Sequence, residues 1–196
     1  MKKIAIAFGI LIILISFSCK KEAQRYFITS DFKQYTVFNM GSYWIYKNET
    51  TLKSDSAYVF NLPISNLDNL NYMSDNEVFN EVLIYDIKGP CFGHFSIKAE
   101  YGQEYLTSST PFGMTGLLVH NYETGYQVIE SIPNLNINDH NYTNVLHTRN
   151  IVLGNVHADT IIIETFFAKN VGIIKYTHKI GTADTTWSLI SSHTVQ

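Results

Sequence analysis

Cysteine, proline and charge are all scarce in this chain, and each scarcity removes a class of protein. Of 196 residues two are cysteines, four are prolines, and 16% are charged. Two cysteines, Cys19 and Cys91, cannot make a disulfide framework once one of them is used elsewhere, so packing must carry the stability. An apolar fraction of 45% is too high for a disordered chain. Net charge is −3, and beyond Lys20-Lys21 there is no basic cluster. Phosphate neutralisation needs a basic footprint, so nucleic-acid binding is excluded. The nucleophile elbow, the phosphate loop and the dinucleotide fingerprint are missing as well. No cofactor and no enzymatic activity are expected.

The one long hydrophobic run is at the start. Lys2 and Lys3 precede an apolar stretch from Ile4 to Ile15, which is shorter than the ~20 residues a spanning helix needs. Ser16-Phe17-Ser18-Cys19 follows, and then the chain turns polar with Lys20-Lys21-Glu22. This is the pattern of a cleaved signal peptide over residues 1–18. Ser16 to Cys19 resembles a lipobox, with Ser16 where leucine is usual, and it implies lipidation of Cys19. Several acyl chains on one residue anchor a protein stably. The absence of an acidic residue after Cys19 points to the outer membrane, with the periplasmic or surface face undecided.

Residues 19–34 read as lipidated cysteine and tether, and 35–196 as a single β-rich domain. Tyr, Phe, Asn, Thr and Ile favour strands. Gly41 to Tyr46 reads as a strand apolar on both faces, with a turn at Lys53-Ser54-Asp55 and a return to Leu62. Asn66 to Asn76 reads as a loop. Val78 to Ile87 is favoured as a strand over a helix capped by Ser74 and Glu77. Hairpins are expected around Gly102-Gln103 and around Glu123-Thr124-Gly125, and a closing meander from Asp159 to Ser191. About ten short strands predict a mainly β fold, an antiparallel barrel-like or sandwich meander.

Gly41-Ser42-Tyr43-Trp44-Ile45-Tyr46, Tyr142-Thr143-Asn144-Val145 and the ending Val171-Gly172-Ile173-Ile174-Lys175 with Trp187-Ser188-Leu189 resemble a pattern of small uncharacterised Bacteroidota lipoproteins. The resemblance implies a β-rich envelope domain and transfers no functional residue.

Candidate chemistry is thin. Cys91 and His94 lie close in sequence, but a strand would send them to opposite faces, so an inert thiol is expected. Seven histidines lack metal-ligand spacing, and no metal site is expected. Asn134 to Asp139 lacks the glycine and glutamate of a calcium loop and reads as a turn. Glu100, Glu104, Glu123 and Glu130 lie near hairpin ends without a sequence sign that they converge. Trp44, Tyr46 and Trp187, with Tyr43 and Tyr58, are candidate aromatics for a sugar platform or an apolar cavity, core packing being the plainer role of the tryptophans. Asp55-Ser56-Ala57, Asp159-Thr160-Ile161 and Asp184-Thr185-Thr186 resemble a Bacteroidota O-glycosylation pattern at Ser56, Thr160 and Thr185. The sequence therefore predicts a membrane-anchored lipoprotein that binds a protein or glycan or serves a structural role. The alternative is a carrier holding a lipid or other apolar ligand in a β-barrel cavity.

Overall fold

The computed structural model describes residues 23–69, 78–89, 94–100, 103–110, 113–120, 127–152 and 160–196. In chain order the elements are β1 (Gln24–Tyr26), α1 (Ser30–Thr36), β2 (Tyr43–Asn48), β3 (Ser54–Val59), β4 (Ile64–Asn69), β5 (Val78–Lys88), β6 (His94–Glu100) and β7 (Gln103–Thr110). They continue with β8 (Gly113–His120), β9 (Gln127–Ile137), β10 (His140–Val152), β11 (Ile161–Ala168), β12 (Gly172–Ile180) and β13 (Ala183–His193). The mainly β expectation holds. All thirteen strands belong to one sheet of order β8-β7-β6-β5-β3-β2-β13-β12-β11-β10-β9, with β1 and β4 added along β5. Every ladder is antiparallel except β1 against β5. The ends of this path, β8 and β9, approach each other but share no ladder among the described residues, so the sheet curls without closing into a barrel.

Val78 to Ile87 is a strand, and β5 is the hinge of the architecture. Its C-terminal end pairs with β3 (Tyr58↔Lys88, Val59↔Ile87), and the rest pairs with β4 from Ile64↔Ile84 onward. β3 and β4 thus run along β5 as one interrupted strand. Asn61 bridges the interruption, its Oδ1 accepting Asp86 N–H at 2.7 Å and its Nδ2 donating to Asp86 Oδ2 at 2.9 Å. Backbone groups left by a bulge need such substitutes.

Several local expectations are corrected. The β2–β3 turn lies at 49–53, earlier than Lys53-Ser54-Asp55. Asn48 Oδ1 accepts Thr50 N–H at 3.0 Å and Thr51 N–H at 2.8 Å, which nucleates the turn before the strand pattern ends. β2 has one buried and one exposed face. The loop expected from Asn66 to Asn76 begins with strand residues, since β4 extends to Asn69. β8 pairs with β7, and β9 with β10, instead of forming a hairpin together. The Gly125 turn signal itself lies outside the described residues.

The tether also ends earlier than expected. Residues from Gln24 onward fold: β1 pairs with β5, and α1 lays Phe32, Tyr35 and Thr36 into the core. Thr29 caps the helix by accepting Phe32 N–H at 3.2 Å, and Asp31 places an acid in the first turn. The signal was present as Thr29-Ser30-Asp31 followed by apolar residues at 32 and 35, but one short turn of helix is a weak periodicity.

The core lies inside the curl. Phe32, Tyr35 and Phe38 come from the N-terminal segment. Trp44, Tyr46, Ala57, Leu83, Tyr85, Leu106, Phe167 and Ile174 come from strands around it. Tyr35 Oη donates to Asn144 O at 2.9 Å. Asn144 has φ of 52° and lies opposite Pro133, between the pairs Thr143↔Asn134 and Val145↔Ile132. Proline has no N–H to offer, and it is tolerated here because β9 is an edge strand.

Candidate functional site

The interior offers neither a ligand cavity nor a free acid pair among the described residues. The cavity bounded by Tyr35, Phe38, Trp44, Tyr85 and Phe167 measures about 20 Å³ at the centre of a water-sized sphere. That is room for about one water, whereas pockets for drug-sized ligands are on the order of 300 Å³ or more. Trp44 and Tyr46, candidates for a platform, are only 2% exposed. Trp44 Nε1 donates to Val171 O at 2.5 Å and Tyr46 Oη to Ile173 O at 2.8 Å. Trp44 also meets Phe38 edge-on at 5.1 Å. Trp187 is half-buried against the same core. Trp44 and Tyr46 fill the interior and do not form a surface platform, because β2 turns its even-numbered side chains inward; Trp187, opposite Asn48 on β13, packs at the edge of that core.

Two buried carboxylates converge at the same end of the core, Glu104 from β7 and Glu81 from β5. Glu81 accepts Ile28 N–H at 2.8 Å and Lys33 Nζ at 2.9 Å. Glu104 accepts Thr29 N–H at 2.5 Å and Thr29 Oγ1 at 3.1 Å. All four carboxylate oxygens are engaged, three by the residues just before α1 and one by Lys33 within it. They dock the N-terminal segment onto the sheet.

The exposed aromatics are elsewhere. In an antiparallel ladder, directly opposed residues point to the same face. The register runs His193↔Tyr43 between β13 and β2, Tyr43↔Tyr58 between β2 and β3, and Tyr58↔Lys88 between β3 and β5. Four strands therefore present His193, Tyr43, Tyr58 and Lys88 as one row on the outer face. Tyr43 and Tyr58 are 43% and 44% exposed, and Phe60 is 51% exposed. The Lys88 ammonium sits 3.6 Å from the Phe60 ring centroid, a cation–π contact. The His193 and Tyr43 rings lie 5.7 Å apart. Ile45 and Lys47 extend the face along β2, and Ser56 along β3. Cross-strand aromatic pairing also steadies the sheet by ~0.2–1 kcal/mol per pair.

Sequence reasoning named Tyr43 and Tyr58 among the aromatics but missed Phe60, Lys88 and His193 as their neighbours. Alternation along Tyr43 to Lys47 was the available signal. It was masked because Trp44 and Tyr46 make both faces look apolar.

Of the remaining candidates, Ser56 and Thr160 are exposed and Thr185 is half-buried opposite His178. Asn138 and Asp139, with φ of 48° and 65°, form the β9–β10 turn where the rejected calcium loop stood. Cys19 and Cys91 lie outside the described residues. His94 and His120 lie in β6 and β8. His140 and His193 are exposed, His147 stacks on Phe166 at 4.1 Å, and His178 is buried. Burial holds the His178 imidazole below its usual pKa. No group of three or more metal-binding side chains occurs among the described residues, and no described helix is long and apolar enough to cross a membrane. No protein-family model, curated protein or solved structure matches the chain.

Proposed function

We propose that this chain is a lipid-anchored envelope protein, of the kind its sequence resembles, whose β domain acts by binding. The observation that carries the reading is an exposed aromatic row over a core that is closely packed among the described residues. Apolar interior volume is what a carrier needs, and a cavity of about 20 Å³ does not accommodate an acyl chain. The buried acids are spent on Ile28, Thr29 and Lys33, which weighs against catalysis. An outer face carrying Tyr43, Tyr58 and Phe60 is suited to recognition. Anchoring follows from the signal and from Cys19, and the outer membrane from the residues after it. O-glycosylation at Ser56, Thr160 or Thr185 is part of the proposal, and an intact-mass spectrum without added sugar removes it.

Two measurements test the reading. Metabolic labelling with an alkyne fatty acid should tag the native chain and not Cys19→Ser, which should leave the membrane fraction. Native mass spectrometry of the full lipidated protein should give a mass free of any further bound apolar molecule. A defined apolar adduct that leaves on denaturation would favour the carrier instead.

A further inference from the structure

Resting on that reading, we propose that the row of Tyr43, Tyr58 and Lys88, with Phe60 beside it, binds an acidic glycan strand. The spacing of the rings suits a sugar chain. Tyr43 and Tyr58 are opposed on neighbouring strands, so their side chains are separated by about 4.5–5.5 Å at Cβ. That is close to the length of one pyranose unit. Aromatic faces carry partial negative charge and meet the partly positive C–H bonds of a sugar ring, while tyrosine hydroxyls remain free for the sugar's own.

The charge on this face favours an acidic ligand. Lys88 lies in the row and Lys47 lies on the same face of β2. Asp86, the acid on that face of β5, is held by Asn61 at 2.9 Å. Glu49 also lies on this side, paired with Lys175 at 3.5 Å, and Lys175 stands in line with Ser188 and Lys47 across the ladders. The three lysines outnumber Asp86 and Glu49, and cations in excess beside stacking rings complement a sugar that bears carboxylate or sulfate groups.

The row also lies far along β5 from the N-terminal strand. Cys19 is separated from Gln24 by a stretch that reaches roughly 18 Å at full extension. Gln24 pairs with Val78 at the far end of β5 from Lys88. The length of β5 between those two residues is roughly 34 Å. The row thus stands off from the anchored end, where an envelope polymer is a nearer occupant than the bilayer.

The test uses the full lipidated chain in neutral-detergent micelles, titrated calorimetrically with an oligogalacturonate and with a neutral β-linked glucan of equal length. Binding to the oligogalacturonate is expected, weakened at least tenfold by Tyr43→Ala/Tyr58→Ala. Lys88→Gln should weaken it at least threefold and flatten its salt dependence. Should the double variant fold poorly, Tyr58→Ser and hydroxyl-radical footprinting of Tyr43 and Tyr58 in the unaltered protein give the same readout. No binding, equal binding of the neutral glucan, or binding that survives the double variant overturns the proposal. So does protection of Tyr43 and Tyr58 by anionic lipid added without glycan, which would make the bilayer the occupant. The anchor is read separately from the intact mass. Loss of glycan binding with the lipid mass present therefore removes the ligand class and leaves the anchored binding module standing.

Discussion

Individual side chains in this domain show where polar atoms buried in a β core are satisfied and where they are not. Tyr85 is fully buried and donates its hydroxyl to Thr36 O, and burial pushes the phenol well above its usual pKa. Its folded value lies above the unfolded one, so this contribution is complete below pH ~10 and is lost as pH rises toward the folded value. Melting temperature should be insensitive to Tyr85 ionisation below that pH and fall steeply above it. Tyr85→Phe should lower stability by ~1–3 kcal/mol, since the Thr36 carbonyl would lose its partner, and should blunt the alkaline fall. His178 works in the opposite direction. Its folded pKa is depressed by burial, so the unfolded chain binds the extra proton first and stability declines as pH falls below ~6.5. Chemical denaturation at pH 7.5 and 5.5 should show a smaller difference for His178→Gln than for the native chain. Asn80 is different again: it is fully buried, and neither atom of its amide has a hydrogen-bond partner. Asn80→Val should therefore stabilise the fold by ~1–2 kcal/mol, and a loss of stability by urea titration would refute the assignment.

At the scale of elements, the segment from β1 through α1 is attached by a few specific contacts. Glu81 and Glu104 grip Ile28, Thr29 and Lys33, and Lys169 pairs with Asp31. Glu104→Ala should cost ~1–3 kcal/mol, because Thr29 N–H would be left without its acceptor. Amide exchange should then speed up over residues 24–36 before it does in β11 to β13. Uniform acceleration across the sheet would mean that the segment is integral to global folding and not a docked piece. The α1 region also explains Gly172. It has φ of 88°, and a Cβ there would lie 2.9 Å from Phe38. Gly172→Ala combines left-handed strain with a clash against the Phe38–Trp44 pair, and it should destabilise by more than ~1 kcal/mol in thermal melts.

For the molecule as a whole, β5 and the β3–β4 run beside it divide the curled sheet into two regions. The division leaves the outer face of β13, β2, β3 and the end of β5 open, while the inner face is closed by the N-terminal segment. Binding is therefore expected on the outside of the curl. Gln24, the described strand residue next to the proposed anchor, and Lys88 of the aromatic row lie at opposite ends of β5.

The amino-acid sequence by itself determined the mainly β character, because strand-prone residues punctuated by Gly and Asn turns leave little else available. The favoured strand at Val78 and the closing meander, seen as β11 to β13, were legible for the same local reason. The lipobox-like Ser16 to Cys19 is a local motif that needs no fold, and the anchoring it implies stays part of the proposal. Tertiary structure decided what local pattern cannot carry. Which face of β2 is buried depends on which strands and which helix cover it, so Trp44 and Tyr46 moved from the candidate site into the core. The row from His193 to Lys88 joins residues distant in sequence through three registers, and register is fixed only when strands pair. The docking of α1 likewise depends on Glu81 and Glu104, whose separation from Thr29 in sequence hides a contact that exists only once the sheet has curled.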